Sequence, residues 1–78
     1  MAKYEYSNGS TAWYKNNQLH RDDDLPAVIW KDGTQIWYQY GVLHRNNGPA
    51  IIWPDGSQEY WINGGKVTSK VNWMKAGF

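Results

Sequence analysis

The chain has 78 residues with eight basic and seven acidic side chains, a net charge of +1, six Trp, six Tyr and no cysteine. A chain of this length forms one small domain, predicted over residues 1–78, and large aromatic side chains must supplement its core. The absence of cysteine excludes disulfides and thiolate metal sites, and the mixed charges provide no basic stripe of the kind that dominates nucleic-acid affinity.

The ends and the apolar runs of the chain carry no targeting signal. The N-terminal residues lack the apolar segment of a signal peptide, and the longest apolar runs, at 27–30 and 50–53, are too short to span a bilayer. We therefore expect a cytoplasmic protein with no membrane partner.

A unit of 23 to 24 residues recurs along the chain. Residues 26–35, Pro-Ala-Val-Ile-Trp-Lys-Asp-Gly-Thr-Gln, return at 49–58 as Pro-Ala-Ile-Ile-Trp-Pro-Asp-Gly-Ser-Gln, and Leu-His-Arg occurs at 19–21 and 43–45. Units of this length are single supersecondary elements that are stabilised by stacking on their neighbours. We predict three repeats, of which the first is partial, at about 4–25, 26–48 and 49–67.

Each repeat contains two strand-like runs around a turn signal. Asp32-Gly33 lies between two such runs, and Asp-Gly in this position predicts a hairpin with a two-residue type I′ turn. That turn would place Trp30 opposite Gln35 and Val28 opposite Trp37. Further turns are predicted at Tyr40-Gly41 and Asn63-Gly64, so the chain is expected to form an antiparallel meander.

The predicted register gives the sheet two apolar faces. One face comprises Tyr4, Tyr6, Trp13, Val28, Trp30, Trp37, Ile51, Trp53 and Tyr60, and the other comprises Ala12, Tyr14, Ala27, Ile29, Ile36, Tyr38, Ala50, Ile52 and Trp61. A large exposed apolar patch usually marks an interaction site, so we expect part of one face to be available to a partner.

The C-terminal residues 68–78 are predicted to form a short capping helix. Ser69 can cap a helix that continues to Ala76 and ends at Gly77. Such a short helix forms only by packing, so we interpret it as a cap on the third repeat.

The segment from Gly48 to Lys66, with its central Asp-Gly and its Asn-Gly turn, resembles the MORN repeat and its bacterial variants. The Trp-Tyr, Leu-His-Arg and Gly-Pro-Ala groups are similar to MORN-like repeats of bacteriophages and large DNA viruses. The resemblance implies a mainly β fold: three β-hairpin repeats in a single twisted antiparallel sheet with the C-terminal cap.

His20-Arg21 and His44-Arg45 are the strongest candidates for chemistry, because His can exchange protons and Arg can hold an oxyanion. Their recurrence at equivalent positions favours a structural role, such as a His ring bonded to a backbone carbonyl at a strand end. No paired nucleophile, carboxylate pair or metal-ligand spacing accompanies them, so we expect no enzymatic activity and no cofactor.

The acidic run from Asp22 to Asp24 lacks the spaced ligands of a calcium loop and is interpreted as a solvated loop that could face a basic partner. Aromatic side chains flanked by Lys or Arg are typical of binding hot spots. The predicted binding residues are Tyr14, Lys15, Arg21, Asp22, Asp23, Asp24, Tyr38, Arg45 and Trp61.

Our first hypothesis is a small phage-encoded module that binds and inhibits a host protein, for example as an anti-CRISPR or other anti-defence factor. The second is nucleic-acid or nucleotide binding on the aromatic face, with Lys15, Arg21, Lys31 and Arg45 contacting phosphate. The third is an antitoxin-like or structural repeat that dimerises. The chain is accordingly expected to be a monomer or a homodimer.

Overall fold

The computed structural model describes residues 2–67, and these residues form an all-β structure. The strands are Ala2–Glu5 (β1), Thr11–Lys15 (β2), Gln18–Leu19 (β3), Val28–Ile29 (β4), Gln35–Ile36 (β5), Tyr38–Gln39 (β6), Val42–Leu43 (β7), Ile51–Ile52 (β8), Gln58–Ile62 (β9) and Gly65–Val67 (β10). The predicted capping helix at 68–78 lies outside the described residues.

Eight strands form one antiparallel sheet in the order β1-β2-β4-β5-β8-β9-β10, with β3 also paired to β2. Strands β6 and β7 form a separate two-stranded hairpin. The mainly β, antiparallel prediction is therefore confirmed, whereas the expectation of one continuous sheet was wrong. The continuity is interrupted at Trp37, whose N–H donates to Ala50 O just before β8 and whose carbonyl accepts from His44 N just after β7.

The hairpin turn at Asp32-Gly33 differs from the prediction by one residue. Trp30 N–H donates to Thr34 O, and Trp30 O accepts from Gly33 N–H, so the loop has three residues, 31–33. Among these loop residues only Gly33 has a positive φ, at 98°. This is the three-residue loop in which a type I turn is followed by a left-handed residue, rather than a type I′ turn.

The side chain of Asp32 explains this choice of turn. Its Oδ1 accepts the backbone N–H of Thr34 at 2.8 Å, and Asp55 Oδ1 accepts from Ser57 N–H at the same distance in the next repeat. An Asp that binds the backbone two residues later fixes the local turn by itself. The two-residue loop predicted at Asp32-Gly33 was therefore wrong.

Because the loop is one residue longer than predicted, the side chains that follow it point to the opposite sheet face from the predicted one. The observed pairs are Val28 with Ile36 and Ile29 with Gln35. Because neighbouring residues of a strand point to opposite faces, Trp37 lies on the face opposite Val28. The predicted single stripe of Val28, Trp30 and Trp37 was therefore wrong, and Trp30 is 45% exposed whereas Trp37 is 5% exposed.

The type I′ turns lie at the other ends of the hairpins. Both residues have positive φ at Asn16-Asn17, Tyr40-Gly41 and Asn63-Gly64. The turns predicted at Tyr40-Gly41 and Asn63-Gly64 are confirmed.

The core is thin and includes three alanines. The buried apolar residues within 2–67 are Ala12, Ala27, Ile36, Trp37 and Ala50. The molecule measures 39 × 30 × 18 Å, and the smallest dimension leaves room for little more than one sheet with its side chains. Among the described residues no helix has the length and apolarity needed to cross a membrane.

Candidate functional site

The two histidines join consecutive repeats. His20 Nδ1 accepts the backbone N–H of Tyr40 at 3.1 Å, and His44 Nδ1 accepts that of Asn63 at 2.9 Å. Both donors are the first residue of the type I′ turn in the following repeat. The bonds give each imidazole a structural role, although its partner is an N–H group and not the carbonyl that the sequence suggested.

His20 has a second bond that fixes its tautomer. Its Nε2 lies 2.7 Å from Asp22 Oδ1, so Nε2–H donates to the carboxylate while Nδ1 accepts from the backbone. This hydrogen bond lowers the pKa of Asp22 below its ordinary value. The ring is only 1% exposed, which leaves it no access to a substrate in solution.

The arginines of the two Leu-His-Arg groups occupy equivalent positions. The guanidinium of Arg21 lies 3.7 Å from the ring centroid of Trp13, and that of Arg45 lies 3.8 Å from the ring centroid of Trp37. Each also donates to the carbonyl of the proline that starts the next repeat, at Pro26 or Pro49. Stacking and backbone bonding together hold the loop between two repeats.

Arg45 makes a further contact that Arg21 lacks within the described chain. Its Nε and Nη2 donate to the two carboxylate oxygens of Asp24 at 2.9 and 3.2 Å. This bidentate pair connects the first repeat with the second, and the hydrogen bond from Arg45 lowers the pKa of Asp24. The neighbouring Asn47 side chain lowers the pKa of Asp24 further.

A concave surface, here named the junction groove, lies where the first and second repeats meet. Its volume is about 520 Å³. It brings together four of the nine predicted binding residues and two exposed apolar side chains: Asp22, Asp23, Asp24, Arg45, Tyr40 and Val42. Asp23 forms no hydrogen bond or ion pair with any residue of the described part, so its charge is available to a partner.

Tyr40 is the unusual residue of the junction groove. Its φ of 51° is a left-handed conformation, which Asn tolerates but a bulky side chain adopts only under strain. The equivalent residues of the other repeats are Asn16 and Asn63. The Tyr40 ring packs on His20 at 4.4 Å between centroids, yet 58% of Tyr40 is exposed.

A second concave surface, the tyrosine groove, lies beside the first hairpin. It has a volume of about 620 Å³ and is lined by Ala2, Tyr4, Tyr6, Tyr14, Asn16 and Asn17. Tyr4 and Tyr14 pack edge to face at 5.3 Å, and the hydroxyls of Tyr6 and Tyr14 lie 3.1 Å apart. This hydrogen bond raises the pKa of Tyr14.

The remaining predicted binding residues do not converge on one site. Lys15 Nζ lies 5.9 Å from the ring centroid of Tyr40, near the junction groove, whereas Arg21 is covered by its own stacking contact. Tyr38 is half-buried opposite Leu43 in a hairpin. Trp61 is half-buried and its Nε1 donates to Glu59 Oε1 at 2.9 Å.

Sequence reasoning missed Tyr40, Val42, Tyr4 and Tyr6 as surface candidates. Tyr40 could have been found from the repeat alignment, because it is an aromatic residue at a turn position where the other repeats have Asn. Within residues 2–67 no group of three His, Asp or Glu side chains is arranged to hold a metal ion.

Comparison with known proteins gives one short similarity. No protein-family model and no solved structure matches the chain. A segment of 21 residues is 62% identical to an uncharacterized protein of Acanthamoeba polyphaga mimivirus and covers 27% of this chain. The match spans only 6% of the viral protein's length, which is about one repeat of the present chain.

Proposed function

We propose that the chain is a non-enzymatic module of three MORN-like repeats that binds a protein partner through the junction groove. The single observation that carries the proposal is the exposed ring of Tyr40, held in a left-handed conformation at the rim of a groove that also contains Asp23. Backbone strain of this kind is concentrated at functional sites, and Tyr is enriched among residues that dominate binding energy.

The partner surface that fits the junction groove is a basic segment with an apolar side chain. Arg45 is paired with Asp24, so the accessible charges in the lining of the groove are the carboxylates of Asp22 and Asp23, and the ammonium group of Lys15 lies beside them over the Tyr40 ring. The Asp22 side chain is 53% exposed although it binds His20. Negative charge beside Tyr40 and Val42 complements a Lys or Arg that is followed by an apolar residue.

The biological role that we propose is inhibition of a host protein by a phage or viral factor. The short similarity to a protein of a large DNA virus supports a viral context. The compact sheet and the surface groove are compatible with a protein that acts by occupying its target.

Nucleic acid is the competing partner, and two of the four cations proposed for phosphate contact are already engaged. Arg21 and Arg45 stack on Trp rings and donate to backbone carbonyls. Binding to nucleic acid would weaken steeply as salt increases, with a slope of about 0.9 in log K per phosphate contact on duplex DNA.

The proposal is tested by affinity capture from bacterial lysate with tagged protein, with and without nuclease, followed by mass spectrometry. We expect one stoichiometric protein that survives nuclease and is lost with Asp23→Asn, a substitution that removes no contact within the described fold. Glu5→Gln is the control, because Glu5 is an exposed carboxylate on β1 outside the groove, where it makes a surface ion pair with Lys3 at 3.8 Å. Capture that both variants retain, or recovery of nucleic acid alone, would overturn the proposal.

A further inference from the structure

The two repeat junctions use the same backbone hydrogen bond. Gly41 N–H in the second repeat donates to Leu19 O of the first, and Gly64 N–H in the third repeat donates to Leu43 O of the second, both at 2.8 Å. In each case the donor is the second residue of a type I′ turn. The acceptor belongs to the short strand that follows the preceding type I′ turn.

The first repeat has the donor half of such a junction without its acceptor. Asn16-Asn17 forms the same turn, with φ of 52° and 63°, and no residue among 2–67 accepts from the N–H of Asn17. Strand β1 does not supply the missing acceptor. Ala2 lies 24 residues before Pro26 and is equivalent to it, so β1 is the first strand of the first repeat and not part of a preceding one. The tyrosine groove is the concavity at this position.

The third repeat has the acceptor half. Lys66 occupies the position of Leu43, and it pairs with Trp61 just as Leu43 pairs with Tyr38. Ile62 and Gly65 flank the two-residue turn and form a hydrogen-bonded pair, whereas the next pair, Trp61 with Lys66, is not hydrogen-bonded. The carbonyl of Lys66 therefore points away from β9. Strands β1 and β10 are the two ends of the strand order in the sheet.

The side chains at these two ends are complementary in size. Within the chain, a Cβ placed on Gly41 would lie 3.7 Å from Gln18 Cβ, and one on Gly64 would lie 3.9 Å from Val42 Cβ. Each junction thus pairs a glycine in the turn with a larger residue on the strand. At the two ends of the repeat stack the larger residue is in the turn and the glycine is on the strand. Asn17 is the turn residue equivalent to Gly41, and Gly65 is the strand residue equivalent to Val42.

We infer that the third repeat of one copy docks on the first repeat of a second copy, so that the junction within the chain is repeated between chains, and a second copy takes the capping role that the sequence suggested for residues 68–78. Asn17 N–H of one copy donates to Lys66 O of the other, the Asn17 side chain lies over Gly65, and the tyrosine groove is covered. The contact is head-to-tail, and it therefore produces a ring or an open filament rather than a two-fold dimer. The junction groove stays accessible in such an assembly, so this inference does not depend on the proposed function.

The test uses single cysteines, which the chain otherwise lacks. Asn17→Cys and Gly65→Cys place two Cβ atoms at the separation that Gly41 and Gln18 define within the chain, which is suitable for a disulfide. Among residues 2–67, the only atom near a Cβ at Gly65 is the Ile62 carbonyl oxygen, at an ordinary 3.5 Å, so the substitution fits this part of the fold.

We expect a disulfide-linked heterodimer when the two variants are mixed under mild oxidation. Neither variant alone should form a disulfide dimer. A dimer of Asn17→Cys with itself would instead indicate a two-fold contact through the tyrosine groove and would overturn the inference. No disulfide in the mixture would overturn it as well.

A second measurement follows the mass of the native chain by light scattering over a wide range of concentrations. We expect the mass to rise above that of one chain, and Gly65→Phe to keep it at one chain because the ring would collide with Asn17. The folded state of Gly65→Phe is checked by circular dichroism. A native mass of one chain at every concentration would contradict the inference.

Discussion

The left-handed conformation of Tyr40 has a cost that can be measured without a partner. A bulky residue at positive φ costs about 1–3 kcal/mol, while the ring recovers only part of this by packing on His20, because most of it is exposed. We predict that Tyr40→Asn raises the free energy of unfolding by about 1 kcal/mol and weakens partner capture.

The matched control for this prediction is Asn63→Tyr, which places a Tyr at the equivalent turn position, where φ is 49°. We expect it to lower the free energy of unfolding by about 1 kcal/mol. Urea denaturation measures both variants. A loss of stability in Tyr40→Asn would show that the ring serves the fold instead of a partner.

The histidines should differ in their contribution to stability. His20 is fully buried and accepts from Tyr40 N–H, whereas His44 is only half-buried and the bond that it accepts from Asn63 N–H lies at the surface. We predict that His20→Ala costs about 2–4 kcal/mol, from the cavity and the unpaired backbone donor. His44→Ala should cost clearly less, and equal losses in urea denaturation would refute this order.

Acid should weaken the connection between Asp24 and Arg45. The pKa of Asp24 is lower in the folded state than its ordinary value of 3.8, so the pair stabilises the fold above that pH. Its contribution is lost as the pH falls through the lowered value. We predict that Asp24→Asn is less stable than the native chain near neutral pH and that this difference shrinks below about pH 4. A difference that is constant with pH in urea denaturation would exclude this contribution.

At the scale of the strands, the turns determine how much could be predicted from the sequence. The positions of the hairpins and the turns at Tyr40-Gly41 and Asn63-Gly64 could be predicted, because the repeat and the glycines mark them. The register around Asp32-Gly33 could not, because Asp-Gly fits either a two-residue or a three-residue loop. The bond from Asp32 to Thr34 N–H decides between them, and only the structure shows it.

The candidate site was predictable to the same limited degree. The acidic run and Arg45 were predicted from charge, and the structure brings them to one groove. Tyr40 was treated only as a turn residue, because its strain is visible in its φ and not in its residue type. Arg21 was predicted to face a partner, yet its guanidinium lies on the ring of Trp13. The sequence could not show this, because a stacking contact between side chains 8 residues apart is not visible in a linear sequence.

The two stacked arginines allow a comparison between equivalent elements. Lys lacks the planar group that stacks on Trp and forms two parallel bonds with a carboxylate. We predict that Arg45→Lys lowers the free energy of unfolding by about 1–2 kcal/mol, and more than Arg21→Lys, because only Arg45 also binds Asp24 in the described chain. Equal effects in urea denaturation would mean that the Asp24 contact contributes little.

At the scale of the whole molecule, the structure is a stack of units joined by a small set of recurring contacts. The buried apolar side chains of the described part are few, and the Leu, His and Arg of one repeat each bind backbone atoms of the next. In a protein of this kind, stability is the sum of terms within repeats and between neighbouring repeats. The contacts between repeats also form the junction groove, so the same residues hold the fold and shape the surface that we propose for binding.

The most direct test of binding through the junction groove is amide hydrogen exchange of the protein, measured alone and bound to the partner that it captures. We predict that binding slows exchange in two segments that border the junction groove, residues 22–24 and 40–42. The amides of β1, on the far side of the first repeat, should be unchanged. Protection confined to β1 and the tyrosine groove, or no change at residues 22–24 and 40–42, would contradict the proposal that the junction groove is the binding surface.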